Sequence, residues 1–126
     1  MARNLNLQII AALEKRDLKA IKEWDFQVAV GKYAEDRGWS VHYNKQSGYM
    51  GPSGKWLATS TGGWPDMFML RNGKVVVAEL KRDIGGKAGN PTEEQQAWLT
   101  GLAEVEGIET YHWRPRDAST IIEVLK

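Results

Sequence analysis

Asn72-Gly73 sits between two runs of apolar residues, and no other feature of this sequence restricts the fold as tightly. An Asn-Gly pair between strand-forming segments favours a two-residue hairpin, because both residues tolerate the positive φ angles that such a turn demands. The flanking strands are Pro65–Arg71 and Lys74–Lys81, and a two-residue turn pairs positions whose numbers sum to 145. Leu70 then faces Val75, Phe68 faces Val77 and Asp66 faces Glu79. Side chains alternate with a period of two. One apolar face therefore carries Phe68, Leu70, Val75 and Val77, with Asp66, Glu79 and Lys81 gathered at its far end. Opposed Cβ atoms on such a face lie ~4.5–5.5 Å apart.

Two carboxylates placed side by side repel, and burying them uncompensated costs several kcal/mol. A divalent cation turns that repulsion into attraction, and hard Mg²⁺ prefers carboxylate oxygens. Lys81 points to the same spot; the plainer alternative is that it neutralises the pair alone, or that one carboxylate stays exposed. The spacing Pro-Asp-x12-Glu-x-Lys on a hairpin favours the site. Glu23 opens the apolar stripe of a helix, three residues before Phe26 and four before Gln27. It reads either as a ligand or as a solvated first-turn acid favoured by the helix dipole. Gln95 likewise leads Leu99 and Leu102, but Thr92-x-x-Gln95 also matches a capping box.

Around this hairpin, apolar spacing predicts helices over 5–20 and 22–37. The second carries Phe26, Val30, Tyr33 and Ala34 on one stripe and stops at Gly38. Trp39–Tyr43 alternates as a strand, and 45–63 reads as one long Gly/Ser/Thr-rich loop. A second glycine-rich loop, Asp83–Pro91, precedes a helix from Thr92 to about Glu106. Ile108–Trp113 then reads as a strand, and Asp117 caps a last helix, Ala118–Leu125. The order ααβββαβα implies one α/β or α+β domain with a mixed sheet, which suits a length of 126 residues.

The absence of cysteine excludes a disulfide framework, a thiolate nucleophile and Cys-ligated metal. No apolar run approaches the ~20 residues of a membrane span, and the N-terminus lacks the pattern of a signal peptide. The expectation is a cytoplasmic protein. Charge is polarised along the chain: residues 1–36 are neutral, 37–90 carry eight basic and three acidic side chains, and 91–126 carry three basic and seven acidic. A middle third at +5 is suited to a polyanion, or to opposite charges from the two ends folding over it.

Gly63-Trp64-Pro65-Asp66, Val77-Ala78-Glu79-Leu80-Lys81, Thr92-Glu93-Glu94-Gln95-Gln96-Ala97-Trp98-Leu99 and Tyr111-His112-Trp113-Arg114-Pro115 together resemble the PD-(D/E)XK nuclease superfamily. Within it, the likeness is to stand-alone VRR-NUC nucleases of phage and bacterial type, over roughly residues 22–125. The resemblance implies a restriction-endonuclease-like core, a central mixed β-sheet of about four strands flanked by helices. Residues 1–126 would form a single nuclease domain, with 1–20 an extra N-terminal helical extension and 22–125 the core. The implied activity is hydrolysis of DNA phosphodiester bonds with Mg²⁺ or Mn²⁺.

The family's functional positions fall on Glu23, Asp66, Glu79, Lys81 and Gln95. Asp66, Glu79 and the Leu80 backbone carbonyl would hold the metal, and Glu23 a second metal or its water shell. Lys81 would position or deprotonate the attacking water, or stabilise charge on the phosphorane; Gln95 would bond the phosphate or orient Lys81. Lys45, Lys55, Arg82 and Lys87 would bind DNA phosphates; the plainer alternative for each is ordinary surface charge. The resemblance points to branched, Holliday-junction-like or flapped DNA and to a homodimer. The alternatives are a nicking or restriction-type nuclease on linear DNA, or a catalytically silent nucleic-acid-binding protein of the same fold. Trp98 and Trp113 read as core; Trp56 and Trp64 read as loop anchors or as stacking platforms for an unpaired base. His42 and His112 are given no catalytic role.

Overall fold

Asn72 and Gly73 adopt φ of 48° and 77°, the left-handed pair of a type I′ turn. The computed structural model describes residues 23–44, 48–58, 62–81 and 90–126. The expected helix over 5–20, Lys45, Arg82 and Lys87, most of the loop from Asp83 to Pro91, and the side chain of Glu23 lie outside this described part. In chain order the elements are α1 (Glu23–Asp36), β1 (Ser40–Tyr43), β2 (Gly48–Met50), β3 (Trp56–Ala58), β4 (Met67–Arg71), β5 (Lys74–Leu80), α2 (Glu93–Ala103), β6 (Ile108–Trp113) and α3 (Ala118–Leu125).

The hairpin pairs Leu70 with Val75, Phe68 with Val77 and Met67 with Ala78, so the register deduced from the turn holds residue by residue. A four-stranded mixed sheet results, ordered β1-β4-β5-β6, in which β6 alone runs parallel to its neighbour. Parallel pairing needs a crossover, and α2 provides it. Because Gly73 has open space around it, its cost on substitution is purely one of backbone. Gly73→Ala should destabilise the fold by about 1–2 kcal/mol, read as a lower urea midpoint with an unchanged slope.

The main core lies on the face opposite the one the hairpin pattern suggests. Met67, Met69, Val76, Ala78 and Leu80 are buried against Phe26, Val30, Tyr33 and Ala34 of α1, and Trp113, Ile121 and Leu125 join them. Phe68, Leu70 and Val75 are only partly covered, Leu70 being 45% exposed. The physical reason is that β5 is an inner strand: Val75-Val76-Val77-Ala78 is apolar on both faces, so alternation gives no sign of which side is thicker. Helices α1 and α3 cover the core face, and α2 lies over the other.

Helix α1 ends in a Schellman motif: Trp39 N–H donates to Ala34 O and Gly38 N–H to Glu35 O, with Gly38 at φ 87°. Trp39 then anchors the C-terminus through Nε1 to Leu125 O at 3.0 Å. Asp117 stands at the N-cap position of α3 without a side-chain cap bond; its Oδ2 instead accepts from Arg114 N–H at 2.8 Å and closes the 3₁₀ turn Pro115–Asp117. The expected long loop contains a second sheet, an antiparallel ribbon of β2 and β3 joined by a tight turn in which Gly51 N–H donates to Lys55 O. Strands of three residues are too short to announce themselves by alternation.

Candidate metal centre

Asp66 stands one residue before β4 and is held through its backbone from two sides. Its carbonyl accepts from Asn44 N–H at 2.8 Å and from Gln27 Nε2 at 3.2 Å. Its carboxylate crosses to β5, where Oδ2 accepts from Leu80 N–H at 2.8 Å. A strand residue's N–H and C=O point to the same side, so the Leu80 carbonyl lies on the Asp66 side of β5. The following N–H, that of Lys81, turns the other way to Trp113 O at 3.0 Å.

Glu79 shares the face of Val77 and is 1% exposed. Among its partners, Gln95 Nε2 donates to Oε1 at 3.2 Å and Lys81 Nζ stands 3.8 Å from the same oxygen. A buried carboxylate in the middle layer of a small domain is costly unless paired or ligated. Lys81 and Gln95 are among the groups that offset that cost.

Gln95 closes the capping box expected of it, and its side chain also reaches Glu79, a contact not among the expected ones. Its Oε1 accepts from Thr92 N–H at 2.9 Å and Thr92 Oγ1 accepts from Gln95 N–H at 3.2 Å, which closes the capping box. The amide nitrogen is thereby left to face Glu79. Capping thus fixes the first turn of α2 and aims its side chain at the centre.

Gly63 makes the approach of the Trp64-Pro65-Asp66 stretch to α2 possible. It adopts φ 78°, and a Cβ there would fall 2.7 Å from Glu94 Cβ and 2.9 Å from Gln95 N. Trp98 Nε1 donates to Gly62 O at 3.3 Å, and the Trp64 and Trp98 rings meet edge to face at 4.7 Å. Trp64 is therefore a loop anchor. Trp98 is half-buried on the outer side of the sheet, outside the main core that holds Trp113.

His112 is the β6 partner of Glu79 and shares its face. Burial lowers its pKa first, and the positive charges of Arg114 and Lys81 lower it further, against the opposing pull of Asp117 and Asp66. The imidazole is therefore neutral at neutral pH. On the core face, burial and a hydrogen bond to Glu109 push the Tyr111 hydroxyl up to about 12. Lys74, 2.7 Å from Glu109, holds that carboxyl below its ordinary range.

Asp66, Glu79, Leu80, Lys81 and Gln95 are thus assembled at the open end of the hairpin. Glu23 lies one turn before Gln27 on α1, with its side chain outside the described part. Lys55 is exposed in the β2–β3 turn, and Lys45, Arg82 and Lys87 lie outside the described residues. Gln27 and Asn44 escaped sequence reasoning; the one signal for Gln27 was its place four residues after Glu23, beside an apolar stripe.

Among the described residues no cluster of three or more His, Asp or Glu side chains is poised for a metal ion. Two carboxylates and one carbonyl oxygen nevertheless suit Mg²⁺, which is commonly held by one or two carboxylates with water and substrate phosphate completing its shell. Among the described residues no helix is long and apolar enough to cross a membrane. Comparison with protein-family models, with curated proteins and with solved structures finds no match for this chain.

Proposed function

We propose that this chain is a divalent-metal-dependent DNA endonuclease of the PD-(D/E)XK type, with a restriction-endonuclease-like core and a plan similar to the stand-alone VRR-NUC nucleases. One observation carries the reading: Glu79, 1% exposed, is met by Lys81 and Gln95 on the strand whose Leu80 N–H binds the Asp66 carboxylate. Burying an acid costs stability, and a ligand role gives that cost a purpose.

In this reading Asp66, Glu79 and the Leu80 carbonyl hold Mg²⁺ or Mn²⁺, with Glu23 as a further acid. When bound, the dication offsets the charge of the scissile phosphate and acidifies a water. Asp66 is oriented for this by its bond to Leu80 N–H, which leaves Oδ1 for the ion. The Lys81 ammonium, three-quarters buried beside Glu79, contributes positive charge where the phosphorane develops negative charge. Gln95 fixes the Glu79 rotamer from a capped helix, so little reorganisation is needed at the moment of reaction. Phosphates are engaged by Lys55, Lys45, Arg82 and Lys87, contacts that hold DNA without reading its sequence. Structure-selective cleavage of branched DNA by a homodimer follows, since symmetric cutting of a junction needs two such centres.

Incubation of the full chain with labelled four-way, flap, single-stranded and linear DNA tests this. Cleavage is expected with Mg²⁺ or Mn²⁺, greatest on branched substrates, and none in EDTA. Binding without cleavage under every metal condition would establish the silent nucleic-acid-binding alternative instead. Cutting of linear duplex at a single sequence would make it a restriction-type enzyme.

A further inference from the structure

The β2–β3 ribbon bears apolar side chains on both sides. Its register sets Tyr49 against Leu57 on one side and Met50 against Trp56 on the other. All four are exposed, Met50 at 63% and Trp56 at 57%. Two strands alone are marginally stable in water, and large exposed apolar groups gathered on one short element mark a contact surface.

The Trp56 indole is placed rather than loose. A Cβ on Gly48 would fall 2.7 Å from both Cε2 and Cζ2 of Trp56, so the ring rests on the glycine backbone on one side and opens to solvent on the other. Position and charge indicate the occupant. Lys55, beside Trp56 in the turn, is the only charged residue in the stretch 48–58, which matches the tip to an anion. The ribbon is also inserted between Asn44 and Asp66, which are hydrogen-bonded to each other. Gly48 is four residues from Asn44, and four residues reach at most ~14 Å. Successive phosphates along a strand are ~3.4 Å apart in duplex rise, so the ribbon is rooted within about four nucleotides of the carboxylate centre.

We infer that Trp56 stacks on an unpaired nucleobase, and that the ribbon thereby selects DNA in which single-stranded bases adjoin a duplex. Stacking suits this role because every base has a π-face, whatever the sequence. The inference rests on the proposed nuclease reading for the nearness of the scissile phosphate, and it is testable without cleavage.

The experiment is equilibrium binding of the full chain, in EDTA, to a forked DNA, to the same fork with an abasic first unpaired position, and to a blunt duplex of equal length. Wild type should bind the intact fork about tenfold more tightly than the abasic fork. Trp56→Ala should lose about that factor on the intact fork only, and Trp56→Phe should recover most of it. Circular dichroism and the melting midpoint of Trp56→Ala check its fold, and the abasic comparison on wild type stands whatever that variant does. Equal wild-type affinity for the intact and abasic forks would overturn the inference. So would an equal loss on fork and blunt duplex, or a dimer dissociated by Trp56→Ala with no difference between DNAs. A wild type that discriminates the abasic site yet cuts nothing with Mg²⁺ or Mn²⁺ upholds the stacking role and removes the nuclease reading. One that cuts without discriminating does the reverse.

Discussion

Asp66→Asn should reduce Mg²⁺-dependent cleavage by about 10³-fold or more while leaving the protein folded and bound to DNA. The size follows from removing one of two negative ligands from a dication that supplies several kcal/mol of charge stabilisation, at ~1.4 kcal/mol per decade of rate. The sparing of the fold follows from the hydrogen bonds. Asparagine keeps an oxygen for Leu80 N–H, and the ties from Asn44 and Gln27 reach the Asp66 backbone, which the substitution does not touch. Lys81→Ala should lose about 10²-fold or more, since it removes a charge aimed at the phosphate, and Lys81→Arg should regain part of it. Single-turnover rates on a preferred branched substrate, with binding measured in EDTA, separate chemistry from affinity. Either alanine or asparagine variant cutting at the wild-type rate would remove these residues from the reaction.

The parts of this centre were readable to different depths, for physical reasons. A two-residue turn of Asn72-Gly73 leaves one register, so Phe68–Val77 and Leu70–Val75 follow by subtraction, and the ladder extended by one step brings Asp66 to Glu79. Gln95 was readable twice over, because capping and projection toward the sheet use different ends of one amide. Which side of the hairpin carries the core was not readable. Met67 and Met69 look no more apolar than Phe68 and Leu70, and only the packing of α1 and α3 decides between them. His112 could not be placed beside Glu79 from sequence, since a parallel register depends on the length of the crossover rather than on a turn. The ribbon was hidden by its composition: glycines at 48, 51 and 54 signal a loop, yet Gly48 makes room for an indole and Gly54, at φ 79°, serves a tight turn.

Glu79→Gln should make the metal-free protein more stable and the metal-loaded protein inactive. Glutamine is nearly isosteric, retains an oxygen for Gln95 Nε2, and removes a charge from a site where wild type is 1% exposed. Where the desolvation of a buried acid outweighs the attraction it gains, an isosteric neutral side chain is worth about 1–3 kcal/mol, which for a domain of this size raises the melting midpoint by several degrees. The variant also leaves Lys81 without its partner, but that side chain retains some contact with solvent and tolerates the loss better than a fully buried cation would. Divalent metal should act in the opposite sense on the two proteins' difference. Mg²⁺ at ten times its Kd stabilises wild type by about 1.4 kcal/mol, and the variant, with a ligand gone, should gain little of this. The midpoint gap between the two proteins, wide in EDTA, should therefore narrow or reverse as Mg²⁺ is added. Scanning calorimetry across a Mg²⁺ series reads this directly and needs no substrate. A Glu79→Gln protein that melts lower in EDTA, yet gains as much from Mg²⁺ as wild type, would mean that Glu79 is a structural ion-pair partner of Lys81 and holds no metal.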